Sequence, residues 1–263
     1  MGANNHENIT FITQIFFAVP LVLAMLWYII AVIVTSRRYK KKWPLHRTFF
    51  WVTGILCASI AVIGPLAERA HMDFSSHMIS HLLLGMLAPL LMVISAPMTL
   101  ALRTLKVNHA RRLSFLLRSR QTGILTNPIF TTLINGGGLW LIYTTDIYML
   151  IQQNMYLILL FHGHVFIAGY LFTISIIYID PTSHRKSFVY RSFILLIAVA
   201  GHGILSKYIY AHPPNGVTKS QSETGGLIMY YGGDAIELVL IFILCFQWYK
   251  ATRPKDWLQD IVI

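Results

Sequence analysis

Long apolar runs alternate with short polar connections along the whole chain, on the scale of helices that cross a bilayer rather than the every-other-residue pattern of strands. A crossing helix needs about 20 mostly apolar residues. Windows of that kind run over residues 11–34, 48–67, 75–102, 124–145, 153–179, 192–211 and 227–248. The pattern predicts an all-α, polytopic membrane protein of seven transmembrane helices, with residues 1–263 forming a single transmembrane domain. The fourth window is interrupted by Asn135 and Gly136-Gly137-Gly138, which membrane helices accommodate where neighbours pack closely. The first window follows a polar head with no Lys or Arg and ends in a basic run. It therefore reads as a stop-transfer span and not as a removable signal peptide.

Composition agrees. The 263 residues are 56% hydrophobic and only 12% charged, against about 25% charged in soluble domains. That excludes a water-soluble domain and a disordered chain. The formal net charge of +11 makes no case for nucleic acid, because the chain is too apolar to be a soluble DNA binder. Sorting the charge by loop gives it a different meaning. Eighteen of the 21 basic residues follow the first, third, fifth and seventh windows, and only Arg69, Lys207 and Lys219 lie elsewhere. The positive-inside rule then puts the N-terminus outside and the C-terminus in the cytoplasm. The basic loops are also suited to anionic membrane lipid, and Asn108 to Arg120 reads as a short amphipathic helix on the inner surface. Cys57 and Cys245 sit in apolar stretches, so no disulfide framework is indicated. Phosphate-binding glycine loops, a Gly-x-Ser-x-Gly elbow and any nucleophile–base arrangement are absent, which argues against an enzyme.

Ionisable groups within spans are costly and are therefore candidate functional residues. At about 1.5 Å per residue, His162 and His202 lie about 13 Å deep, Asp234 about 10 Å and Glu237 about 15 Å, with His77 at the outer interface and His81 about two turns in. All fall in the outer half of the membrane, which points to one polar pocket open to the outside. His77 and His81 (i, i+4) share a helical face, as do Asp234 and Glu237 (i, i+3). His162 and His164, two apart, do not. Imidazole suits copper, zinc and iron, while thioethers favour Cu(I). Met72, Met78, Met86 and Met229 lie close in sequence to these groups. The mixture points to an extracytoplasmic copper site formed by His77, His81, His162, His202, Met78, Asp234 and Glu237. Paired intramembrane histidines also hold b-type haem, so a haem or quinone redox protein using His81, His162 and His202 is the alternative.

From the third window on, the sequence resembles a known family. Gly64-Pro65-Leu66, then Phe74-Ser75-Ser76-His77-Met78-Ile79-Ser80-His81-Leu82-Leu83-Leu84, Ala88-Pro89-Leu90-Leu91 and Ala96-Pro97 through Leu102-Arg103 are similar to the CtaG family, assembly factors of caa-type cytochrome c oxidase. His162 ahead of Gly169, Asp180-Pro181, His202 and Gly225-Gly226-Leu227-Ile228-Met229 continue the likeness, which covers roughly residues 48–250. The resemblance implies assembly of a haem–copper oxidase in a bacterial plasma membrane. It further implies copper delivery to the catalytic subunit, oxidase subunits as partners and an extracytoplasmic copper donor. The family tends to carry Asp-Gln shortly before the paired glycines of its last span. Here the stretch reads Ser220-Gln221-Ser222-Glu223-Thr224, so Glu223 or Asp234 would have to supply that carboxylate.

Overall fold

The computed structural model describes residues 2–40 and 42–254, with side chains from residue 14 onward. Lys41 and Lys255 of the basic loops lie outside the described residues. Every regular element among the described residues is helical. α1 (Gly2–Arg38) and α2 (Leu45–Val62) lead through the short α3 (Pro65–Ala70) into α4 (Phe74–Ile94). Three short helices follow, α5 (Pro97–Thr104), α6 (Val107–Leu117) and α7 (Arg120–Leu125), then α8 over residues 128–144 and α9 (Ile147–Gln153). α10 (Met155–Ile176), α11 (Phe188–Ala211) and α12 (Lys219–Thr252) complete the chain.

Six helices, α1, α2, α4, α10, α11 and α12, are long and apolar enough to cross a membrane. α8 is shorter. Its first turn is fixed to the far end of α10, where the Thr131 and Ser175 hydroxyls are 2.8 Å apart. Its last turn reaches the start of α4, where the Tyr143 hydroxyl is 2.9 Å from His77 Nε2. α8 thus runs from one end of the bundle to the other. The connections after α1, α4 and α10 gather at one end. Arg38 Nη1 donates to the Leu105 carbonyl at 3.5 Å, Arg47 and Arg103 both lie over the Trp43 ring, and His184 Nε2 is 3.1 Å from the Ser119 carbonyl. This is the basic end of the molecule. At the other end Asn215 donates to Asp146, and Gln14 Nε2 reaches Glu68 at 3.5 Å.

Several boundaries differ from those read in the sequence; the 48–67 window is broken after Val62, where Ile63 is extended and Gly64 takes a positive φ of 84° ahead of α3. The 75–102 window is two helices, because Ala96 is left-handed (φ 55°) and Pro97 has no N–H to continue the ladder. Asp180, arriving from beyond α10, caps the restart. It accepts from Met98 N at 3.0 Å, Thr99 N at 2.7 Å and Thr99 Oγ1 at 2.6 Å. The 124–145 window breaks before Pro128, which opens α8 with Asn127 accepting from Ile129 N. The last window is the inner part of a 34-residue helix that begins at Lys219, capped by Thr218; its polar first turns are too hydrophilic to register as a span. α10, the helix of the 153–179 window, ends at Ile176. Arg191, counted from sequence with the basic loops, is buried in the first turn of α11. Its Nη1 donates to the Ile176 carbonyl at 2.5 Å, and its guanidinium lies over the Tyr178 and Phe188 rings. Cys57 and Cys245 are free thiols, as expected.

Small residues set the closest helix approaches. A Cβ at Gly169 of α10 would fall 1.9 Å from the Gly85 carbonyl oxygen of α4, so these two backbones touch. Gly225 and Gly226 of α12 receive Phe74 and Met78 of α4 on one side and the Ser206 backbone of α11 on the other.

Candidate metal centre

α4 starts at Asp73, whose carboxylate accepts from Ser75 N at 3.3 Å, Ser76 N at 2.8 Å and Ser76 Oγ at 2.7 Å. Burial opposes ionisation of this carboxyl, but the bonds from Ser76 and Ser75 outweigh it and hold the group below the ordinary carboxylate value. The cap sets the phase of the helix, and with it the direction of His77 and His81. Beyond Leu82 the helix widens, and Leu83–Leu87 are π-helical. In a regular α-helix Met86, five residues after His81, would turn to a different face. The wider turn brings both to the same cavity.

That cavity has a volume of about 190 Å³ and lies between α4, α8, α10, α11 and α12. His81, Met86, Trp140, His202 and Glu237 line it, together with Asn135, Gly136 and Gly137 from a second π-helical stretch, Leu133–Gly137. Both π-helical stretches among the described residues therefore border one cavity, and such turns recur at functional sites. His202 Nδ1 is 3.5 Å from Glu237 Oε1. The approach depends on Gly233, where a Cβ would meet His202 Cε1 at 2.1 Å. His81 is buried with neither ring nitrogen hydrogen-bonded, and both nitrogens of His202 and Oε2 of Glu237 also lack partners. A buried polar atom left unpaired costs about 1–3 kcal/mol, and a cation accepting their lone pairs would relieve several at once. No three His, Cys, Asp or Glu side chains among the described residues stand close enough together to hold a metal ion. Two imidazoles, one carboxylate and the Met86 thioether would have to close around one.

The single pocket expected from the sequence is two. One turn above His81, His77 stacks on Phe161 (centroids 5.6 Å apart) and bonds to Tyr143, so its ring is held among aromatics. It borders a smaller cavity, about 20 Å³, together with His71 and His162. The Nδ1 of His162 is 2.8 Å from the Ile158 carbonyl of its own helix. Met78 is wholly buried in the apolar cluster with Phe74 and Met229, and lines neither cavity. Asp234 is half-buried one turn before Glu237 and does not line the cavity. Glu223 is 3.9 Å from Lys219 on the helix surface, and His164 packs over Gly138. Met86 is the cavity-lining thioether that helical periodicity misses. Its only sequence signal was its thioether near a histidine pair.

The chain matches the family described as cytochrome c oxidase caa3 assembly factor (Caa3_CtaG) over residues 26–251. It belongs to that family. Every residue lining the larger cavity of this CtaG-family protein falls inside the matched stretch. Among curated relatives, an uncharacterized protein of Mycobacterium bovis is 33% identical over 181 residues, covering 63% of this chain and 26% of that protein. An uncharacterized protein of Mycobacterium leprae is 25% identical over 260 residues, covering 88% of this chain and 38% of that protein. The CtaG-family chain thus spans between about a quarter and two-fifths of the length of these relatives. No solved structure matches. Several residues that carry the family resemblance have structural duties: Ala96-Pro97 turns the chain, Asp180 caps α5, and Gly225-Gly226 seats α12.

Proposed function

We propose that this CtaG-family assembly factor holds Cu(I) at the cavity bounded by His81, Met86, His202 and Glu237 and passes it to the catalytic subunit of the oxidase. The observation that carries the reading is the donor set: two imidazoles that make no hydrogen bond, one carboxylate and one thioether lining one small space. The thioether favours Cu(I) over zinc. Charge favours it too, since one carboxylate cancels one positive charge, whereas a divalent ion would leave a net charge in a low-dielectric interior. Asp234, a turn away, adds negative potential or takes up a proton. Lipid-exposed Leu133, Gly137 and Ile197 are among the lining residues, so the cavity opens on the side of the bundle, where a membrane-embedded partner would receive the ion.

The full arrangement is a seven-span protein of a bacterial plasma membrane, α8 being the seventh crossing. The N-terminus is outside, and the basic end faces the cytoplasm and anionic lipid. The cavity then lies towards the outer half, within reach of an extracytoplasmic copper donor, and the chain acts as a metallochaperone without catalysis. The alternative of a haem or quinone site is disfavoured by size: about 190 Å³ falls below the roughly 300 Å³ at which pockets for organic ligands begin. The test is a deletion strain complemented with wild-type or His81→Ala/His202→Ala protein, with oxidase activity and copper content measured on the same membranes. Wild type should restore both and the double variant neither. Copper-replete, active oxidase with the double variant would overturn the proposal.

A further inference from the structure

A third cavity, about 230 Å³, opens at the Phe74 end of the bundle and is lined by His71, Met72, Met149, Gln152 and Asn215 among others. Most of the polar groups around it are engaged. Asp73 caps α4, Gln152 donates to the Tyr148 hydroxyl at 3.0 Å, and Asn215 donates to Asp146. The imidazole of His71 and the thioethers of Met72 and Met149 enter no hydrogen bond described for the chain, and all three residues are exposed, Met72 at 86%. The thioethers of Met72 and Met149 stand open at a mouth lined also by Phe74, Val217, Gln153 and Gln221. They come from separate segments, the α3–α4 turn and α9, so no single helix face accounts for them. His71 also borders the small cavity shared by His77 and His162, and His81 lies one turn further along α4. Imidazoles thus extend from this surface cavity towards the buried one, and the thioethers of Met72 and Met149 stand at the mouth of the surface cavity.

From this arrangement we infer that His71, Met72 and Met149 form a surface capture site for Cu(I), which loads the buried cavity. The inference rests on the copper reading of that cavity and adds the route in. Thioether and imidazole donors select Cu(I) over zinc and the hard cations. An exposed, neutral set holds the ion weakly enough to release it. The carboxylate-bearing buried set, drawing on charge in a low dielectric, holds it more strongly.

The experiment uses the full chain in detergent under reducing conditions, with Cu(I) supplied as its bicinchoninate complex. Wild type, Met72→Leu/Met149→Leu and His71→Ala are compared for loading rate and final occupancy. In a His81→Ala/His202→Ala background, X-ray absorption reports copper–sulfur coordination with and without Met72→Leu/Met149→Leu. We expect the surface variants to reach wild-type occupancy about tenfold more slowly, the scale on which local enrichment raises on-rates. We also expect the sulfur signal of the cavity-deficient protein to vanish with the two methionines. Wild-type loading rates in the surface variants, with copper still bound at the buried cavity, would overturn the capture site and leave the function intact. Sulfur-bound copper in the His81→Ala/His202→Ala protein, with no additional copper in wild type, would do the reverse.

Discussion

Replacing Gly233 by Ala puts a methyl group where His202 now sits. The added Cβ would lie 2.1 Å from His202 Cε1 and 2.8 Å from Nδ1, far inside the roughly 3.5–4.0 Å of a comfortable carbon contact. The ring must swing off α12 and give up its 3.5 Å approach to Glu237. Overpacking of this kind costs about 1–3 kcal/mol, and the better helix propensity of Ala returns up to about 1 kcal/mol. The net loss of stability is therefore at most about 3 kcal/mol, small enough for the protein to remain folded. The loss at the site is larger, because a misdirected imidazole no longer faces His81 across the cavity. Changes that misorient a ligand cost about 10- to 100-fold in metal affinity. The assay is competition for Cu(I) against bicinchoninate, with thermal unfolding in detergent as the check on folding. Gly163→Ala is the control, since a Cβ there meets nothing within 4 Å. It should bind as wild type and be as stable or slightly more so. A folded Gly233→Ala protein with wild-type Cu(I) affinity would refute the placement of His202 in the site.

Three further outcomes follow from the packing. Gly169→Ala drives a methyl into the Gly85 backbone at 1.9 Å, which no side-chain rotation relieves, so it should destabilise by about 3 kcal/mol or more in thermal unfolding. Asp180→Ala removes three hydrogen bonds to the start of α5 and should cost about 1–2 kcal/mol. It should leave Cu(I) affinity unchanged, which separates this structural motif from the site. The Asp73 carboxyl is held below its ordinary value, so its contribution is complete above the usual carboxylate range and is lost as pH falls through the depressed value. Below about pH 4 the Tm of wild type should fall more steeply than that of Asp73→Asn; parallel curves would contradict the cap.

Much of the fold is visible in the chain because apolar run length and loop charge are strong, local signals. The basic loops read as one face do meet at one end, through Arg38, Trp43, Arg103 and His184. What the sequence hides is backbone phase. The i, i+4 spacing of His77 and His81 fixes a shared face but not a shared cavity, and Tyr143 and Phe161 enclose the upper ring alone. His81, His202 and Glu237 line one cavity. Met86 joins them only because Leu83–Leu87 depart from α-helical periodicity, which no residue in that run announces. Gly136 and Gly137, read as sites of close packing, instead line the cavity with open space around them. Met78, attractive as a thioether beside His77, fills the core.

The most direct test of the buried site is equilibrium binding of Cu(I) to the purified full chain, in the presence of excess zinc, for wild type and His81→Ala/His202→Ala. One tightly held Cu(I) that zinc does not displace, absent from the double variant, is the expected result. Equal tight binding in both proteins, or none in wild type, would contradict a copper site at His81, His202 and Glu237.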